Sequence, residues 1–213
     1  MKTLAIILIF ISTLGYSQRV EFNDLNKDSL SFYIVEYMNH ARDSLIPKYK
    51  YEVNTRYNKR TKKLQIDTIS STLITHKKYS IDNTLILASD NQLNYIYKVN
   101  HITHFQTEYD NGIKVDVDTI LKDHLARGEY FNINIESEVC LETGYGYDAN
   151  GYYNFITDDL SSTQIYKLLA KSIIDLYLKS KYHKLAILNV RYNKVGISTG
   201  LKDGAIYNVI VFN

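Results

Sequence analysis

The segment from residue 161 to residue 212 constrains the fold most, because a long helical pattern is followed there by two strands. The apolar stripe of the helical part recurs at spacings of three and four: Ile165, Leu168, Leu169, Ile173, Leu176 and Tyr177. Ser161 or Ser162 can cap its start, and it should end near Ser180. Strands are predicted over 194–199 and 205–212, with Asp203-Gly204 as a strong hairpin turn. This part of the chain is therefore predicted to be a helix followed by an antiparallel hairpin.

The rest of the chain adds further elements of both kinds. Helical spacing covers residues 24–45, 82–99 and 118–126, with Asp28 and Ser29 able to cap the first of these helices. Residues 48–80 alternate like a hairpin around a basic turn, and residues 130–141 alternate like a strand. Helices interleaved with mostly antiparallel strands predict an α+β or an α-β-α layered domain.

The N-terminus has the pattern of a secretory signal. Lys2 precedes an almost unbroken apolar run over residues 4–14, and Gly15 and Ser17 are small residues at the positions that a signal peptidase reads. We expect cleavage after Ser17, which divides the chain into a signal peptide (1–17) and one domain (18–213). The protein should be secreted or periplasmic. No later run is long enough for a transmembrane segment.

Charge and cysteine content exclude several classes of protein. The formal net charge is only +2, which is too small to indicate nucleic acid as a partner. The single cysteine, Cys140, cannot form an intramolecular disulfide, and its apolar neighbours indicate a small buried side chain. None of the six histidines shows the His-x-x-x-His spacing of a helical zinc site, and no Gly-x-Ser-x-Gly elbow occurs.

A resemblance to a known family narrows the fold. The segment Tyr177-x-x-Ser180-x-x-His183 resembles the bacterial signature of the CAP superfamily (cysteine-rich secretory proteins, antigen 5 and pathogenesis-related 1; SCP domains), with Tyr177 where that family usually has Trp. Upstream, Asn39-x-x-Arg42, the segment containing His104 and the segment containing Glu138 are similar to the family's other motifs, in the same order. The chain looks like the short bacterial form, with residues 48–80 as a hairpin insertion.

The resemblance implies a three-layer α-β-α sandwich with a surface cleft that gathers His104, Glu138 and His183. Ser180 stands where longer members have a second Glu, and Asn39, Arg42 and Tyr177 would be structural. Glu136 competes with Glu138, because residues two apart on a strand point to the same side. Two imidazoles and a carboxylate suit a divalent cation such as zinc, so His104 and His183 are candidate metal ligands. The same residues could equally hold the cleft walls together.

The sequence therefore predicts a secreted CAP-type protein that binds a small-molecule or envelope-derived ligand in a cleft lined by His and Glu, without established catalysis. The alternative is a metal-assisted hydrolase, such as a peptidase, that uses the same cleft. A third hypothesis is an interaction module whose basic turn at residues 59–63 meets anionic envelope polymers; exposed charges of that kind are screened by salt.

Overall fold

The computed structural model describes residues 26–143, 161–203 and 205–213. The predicted signal peptide and most of a Gly- and Tyr-rich segment predicted as a surface loop (143–154) lie outside these residues. The described helices are α1 (Lys27–Leu45), α2 (Asn83–Val99), α3 (His124–Phe131), α4 (Ser162–Lys179) and α5 (Lys181–Ile187). The described strands are β1 (Tyr49–Asn58), β2 (Lys63–Leu73), β3 (Ser80–Ile81), β4 (Tyr109–Asp110), β5 (Ile113–Lys114), β6 (Ser137–Thr143), β7 (Lys194–Lys202) and β8 (Ala205–Phe212).

A four-stranded sheet in the order β3-β7-β8-β6 forms the middle layer. The pairs β7–β8 and β8–β6 are antiparallel, and the short β3 runs parallel to β7. Helices α1, α4 and α5 cover one face, where Ile210 and Phe212 of β8 are buried. Helix α2 covers the other face over Val209 and Val211. The α+β fold and the three-layer sandwich predicted from the sequence are therefore confirmed.

Side-chain alternation explains why this sheet has two covered faces. Successive side chains of a strand point to opposite faces, so a strand that is apolar at nearly every position needs cover on both sides. Strand β8 is such a run, and every residue from Ile206 to Phe212 is buried. Gly196 of β7 lets α2 lie close to the sheet, because an added Cβ there would be 2.1 Å from the backbone carbon of Leu85.

Side-chain caps set where the helices begin. The predicted start of α1 was wrong: Asn26 is the cap, and its Oδ1 accepts a hydrogen bond from the Ser29 amide at 2.8 Å. Asp82 caps α2. Ser161 caps α4, as predicted, and Gln164 completes a capping box with Ser161.

The region between α2 and β6 differs most from the prediction. Helix α3 begins at His124 after the cap Asp123 and ends at Phe131, whereas the predicted helix covered residues 118–126. Residues 130 and 131 belong to this helix, so the predicted strand at 130–141 is shorter and begins at Ser137. The side chain of Asp123 accepts a hydrogen bond from the Ala126 amide, which fixes the helix start later than the apolar pattern indicated.

Strands β1 and β2 form a separate two-stranded sheet, called here the outer hairpin (residues 49–73). The hairpin predicted within residues 48–80 is present. Its principal contacts are between its own two strands, and β1 is exposed along nearly its whole length. That it is an insertion relative to short CAP domains stays a prediction.

None of the described helices is long and apolar enough to cross a membrane.

Candidate functional site

A buried carboxylate forms the centre of the candidate site. Glu138 lies on the edge strand β6, and its side chain is only 1% exposed. Its Oε1 is 3.1 Å from Nδ1 of His104, and its Oε2 accepts a hydrogen bond from Nη2 of Arg127. The Arg127 side chain is fully buried, whereas the His104 side chain is 42% exposed. A buried carboxylate needs such partners, because an uncompensated charge in the interior is costly.

Local structure brings His104 and Arg127 to this carboxylate. The loop that carries His104 is tied to α2 by two buried glutamines: Gln92 donates to the Thr103 carbonyl, and Gln106 donates to Gln92 Oε1 at 3.0 Å. Arg127 reaches Glu138 from α3, and its Nη1 donates to the Leu121 carbonyl at 3.2 Å. The site therefore joins the loop after α2, helix α3 and strand β6.

Cys140 adjoins the same cluster. Its Sγ lies 3.7 Å from both His104 Nδ1 and Glu138 Oε1. Burial raises the pKa of the Cys140 thiol well above its usual value, and the nearby Glu138 charge raises it further. Cys140 is therefore a neutral thiol near pH 7, which agrees with the buried role predicted for it.

His104, Glu138 and Cys140 can place one ligand atom each within 4.8 Å of one another. This arrangement does not suit a resident zinc ion. A carboxylate ligand compensates the charge of the cation. Here the guanidinium of Arg127 already compensates Glu138.

His183 lies outside that group of ligand atoms and belongs to α5. Its ring packs edge-on against Tyr177, with ring centroids 5.2 Å apart. Burial lowers the pKa of His183, and the nearby His104 lowers it further. The structure thus brings His104 and Glu138 into direct contact. His183 lies near enough to His104 for the two rings to interact electrostatically.

Ser180 and Tyr177 occupy the junction beside His183. Ser180 follows the last residue of α4 and precedes α5, but its side chain makes no capping hydrogen bond. Tyr177 is fully buried and its hydroxyl donates to the carbonyl oxygen of Asn208 at 2.9 Å, so it ties α4 to β8.

Asn39 and Arg42 lie on α1, on the other side of the sheet from the Glu138 cluster. Asn39 exchanges two hydrogen bonds with the backbone of Tyr79, at 2.7 and 3.2 Å. Arg42 donates to the carbonyls of Tyr192 and Asn189 at 2.9 and 3.2 Å, and its guanidinium lies 4.1 Å from the centroid of the Tyr79 ring. These contacts join α1 to two loops, while the structural role itself stays a prediction.

The sequence did not point to Arg127, and it left Glu136 competing with Glu138. Glu136 is exposed and lies 3.4 Å from the Asn134 amide, away from the cluster. Arg127 has no neighbouring motif, so its pairing with Glu138 follows only from the tertiary packing of α3 near β6. The only sequence feature that could have pointed to Arg127 is its place next to a helical segment with apolar residues. That feature is too common to identify a site.

Two cavities are found elsewhere in the described part of the chain. One of about 340 Å³ is lined by Asn91, Tyr97 and Asp116 among others, and one of about 380 Å³ is lined by Lys27, Asp90 and Ser198 among others. Neither includes His104 or His183. The cleft predicted at the histidines and its ligand both stay predictions.

Scans against protein-family models and curated proteins find no match. Solved structures give matches at low similarity. An outer surface protein from Borrelia burgdorferi is 13% identical, with a TM-score of 0.48 over 87% of this chain and 92% of that one. An extracellular protein containing a SCP domain from Bacillus anthracis is 10% identical, with a TM-score of 0.35 over 63% of this chain and 34% of that one. A cysteine-rich secretory protein from Staphylococcus aureus is 10% identical, with a TM-score of 0.40 over 88% and 40%. Two of these three are of the class that the sequence motifs resemble.

Proposed function

We propose that this chain is an extracellular CAP-type protein that binds a small amphipathic ligand through His104. One observation carries the proposal: a half-exposed imidazole is fixed in place by a fully buried carboxylate. This hydrogen bond fixes the orientation of the ring, so the imidazole presents a defined nitrogen atom to the solvent. The apolar run at residues 4–14 and the extracellular or outer-surface neighbours support secretion.

The hydrogen bond to Glu138 determines what His104 can offer. A carboxylate accepts hydrogen bonds, so Nδ1 carries the proton and Nε2 of a neutral ring is an acceptor. Within the described residues Nε2 has no partner. It is therefore available to a ligand hydroxyl.

Exposed apolar side chains stand next to both histidines in the chain. Phe105 is 61% exposed beside His104, and Tyr182 is 78% exposed beside His183. Such side chains gain free energy when a ligand covers them. A ligand that combines a hydroxyl with an apolar body would use both features.

The hydrolase alternative has less support from the geometry. A metal-assisted hydrolase needs a cation with an open coordination position, and the guanidinium of Arg127 occupies the carboxylate that would hold one. A cysteine nucleophile needs a thiolate, whereas burial raises the pKa of Cys140. Zinc remains testable by calorimetric titration: stoichiometric binding that disappears in His104→Ala would favour the hydrolase.

The test uses 1-dodecanol and dodecyl methyl ether, which differ in one hydroxyl donor. We expect dodecanol to bind more tightly and to shift the ¹⁵N resonance of His104 Nε2. His104→Phe should weaken dodecanol binding by about fivefold to tenfold, the value of one neutral hydrogen bond. His101→Phe is the matched control, because His101 is exposed and lies outside the cluster. Equal affinity for the two amphiphiles, with no shift at His104, would refute the proposal.

A further inference from the structure

The outer hairpin is amphipathic, and the residues of its apolar face have no cover in the described part of the chain. Cross-strand partners share a face, and the pairs Tyr49–Leu73, Val53–Ile69 and Tyr57–Leu64 lie along one side. The apolar residues of this face are between 47% and 70% exposed: Tyr49, Tyr51, Val53, Tyr57, Leu64, Ile66, Ile69 and Leu73. An apolar face of this length is costly to leave in water.

A register shift keeps this face apolar along its whole length. The pairing shifts between Asn54 and Thr55, so Val53 pairs with Ile69 whereas Thr55 pairs with Ile66. With unbroken alternation, Ile66 and Ile69 would point to opposite faces, because they are three residues apart. The irregularity therefore places both isoleucines on the same side.

The opposite face is polar and makes its own contacts. Lys50 forms an ion pair with Glu52 at 2.8 Å, and Asn54 donates a hydrogen bond across the strands to Thr68 Oγ1 at 3.1 Å. This face is suited to water. The contrast between the faces fits a hairpin that lies flat on an apolar medium.

The turn of the hairpin is strongly basic. Residues 58–63 read Asn-Lys-Arg-Thr-Lys-Lys, which gives four cations and no acid in six residues. A cluster of this kind is attracted to anionic lipid headgroups. Three of the apolar residues of the hairpin are tyrosines, whose amphipathic rings favour the boundary between hydrocarbon and water.

A second copy of the chain fits the hairpin less well than a membrane. Two strands of about ten residues present a face of about 300–350 Å², from their rise and spacing. A stable protein interface buries about 800 Å² on each partner. A bilayer surface has no such lower limit in area, and the basic turn adds attraction to anionic lipid.

We propose that the outer hairpin docks the protein on an anionic lipid bilayer, with the face of Val53 and Ile69 toward the hydrocarbon and the 59–63 turn among the headgroups. This inference uses a different part of the molecule from the proposed ligand site. Either can fail without the other.

The first test exploits the absence of tryptophan from the sequence. Tyr51→Trp places a single reporter on the apolar face, and Asn54→Trp places one on the polar face as the matched control. With phosphatidylcholine vesicles containing 30% phosphatidylglycerol, we expect a blue shift for Tyr51→Trp and none for Asn54→Trp. Equal responses from the two reporters, or no response from either, would overturn the proposal.

The second test separates the apolar and charge contributions by vesicle co-sedimentation. Val53→Ser with Ile69→Ser should weaken binding at least tenfold, whereas the neighbouring polar-face pair Asn54→Ser with Thr68→Ser should bind like the parent. Replacing the four basic residues of the turn by Gln should remove the preference for anionic over zwitterionic vesicles. If the Val53/Ile69 variant and the variant with Gln in the turn both bind vesicles like the parent, the proposal is contradicted. This holds even if the hairpin has lost its strand pairing. A doubling of mass in light scattering that the Val53 and Ile69 changes abolish would instead assign the face to a second copy.

Discussion

The β7–β8 hairpin and the outer hairpin are both antiparallel, but the first is largely buried and the second is largely exposed. In β8 nearly every position is apolar and buried, whereas β1 alternates between apolar and polar residues and is exposed. A continuous apolar run requires cover on both faces, and strict alternation requires it on one. The central hairpin has both covers within the chain. The outer hairpin has neither among the described residues, and its apolar face is the surface proposed above to dock on a bilayer.

The same substitution in each hairpin should give the largest contrast. Ile210→Ala removes a fully buried side chain between the helices and the sheet, and should lower the free energy of unfolding by about 2–5 kcal/mol. Ile69→Ala removes a side chain that is 62% exposed and should change it by less than about 0.5 kcal/mol. Urea denaturation followed by circular dichroism measures both. Similar losses would show that the outer hairpin is packed against the domain.

Gly196 tests how closely α2 approaches the central hairpin. Gly196→Ala would drive a Cβ into the backbone of α2 at Leu85, and should destabilise the protein by about 3 kcal/mol. Gly112→Ala is the control: nothing lies within 4 Å of its added Cβ, and only the strain of a φ of +80° applies, about 1 kcal/mol. Thermal unfolding of the two variants should therefore differ clearly. An equal effect would mean that α2 does not lie directly on β7.

Excision of the outer hairpin should have a smaller effect than either core change. The Ile74 amide donates to the Lys48 carbonyl at 2.9 Å, so the two ends already meet. Replacing residues 49–73 by two glycines should change the free energy of unfolding by less than about 1 kcal/mol, because loop length has a weak effect. The shortened chain should also lose vesicle binding. Failure of this chain to fold would place the hairpin within the cooperative unit.

The smallest effect is expected at Asp82, which links α2 to the central sheet. Its side chain is 2.8 Å from Lys194 Nζ, and hydrogen bonds from Lys194 and Thr84 lower its pKa to about 2. Because the pKa of Asp82 is lower in the folded state, its ionised form stabilises the fold at pH values above the usual carboxyl pKa. This contribution is lost as pH falls through about 2. Asp82→Asn keeps the helix cap and should cost less than about 1 kcal/mol at pH 7.

The difference between the parent and Asp82→Asn should shrink between pH 5 and pH 2. Asp116→Asn is the control, since the Asp116 side chain is fully exposed. A difference that stays constant with pH would show that the pair with Lys194 does not stabilise the fold.

The sequence predicted the layers well because the patterns that carry them are local. The stripe from Ile165 to Tyr177 and the turn at Asp203 lie within single elements. Helix α3 was misplaced because its start depends on one capping side chain, Asp123. Caps of this kind can override an apolar pattern.

The candidate site was predictable only in part. Motif order identified His104, Glu138 and His183, and the contact between the first two is present. Arg127 was missed because its partner lies 11 residues away on another element. The neutral state of Cys140 follows from burial, which is a property of the packed molecule.

The strand order has a consequence for how the protein is made. The two central strands, β7 and β8, are the last elements in the chain, and α1 and α2 pack on them. Until these strands have been synthesised, the earlier helices lack the surface that buries them, so the nascent chain cannot complete its domain step by step. Contacts of such long sequence separation also slow folding. The core of the described domain can therefore close only after both β7 and β8 have been synthesised, in whatever order the earlier helices form.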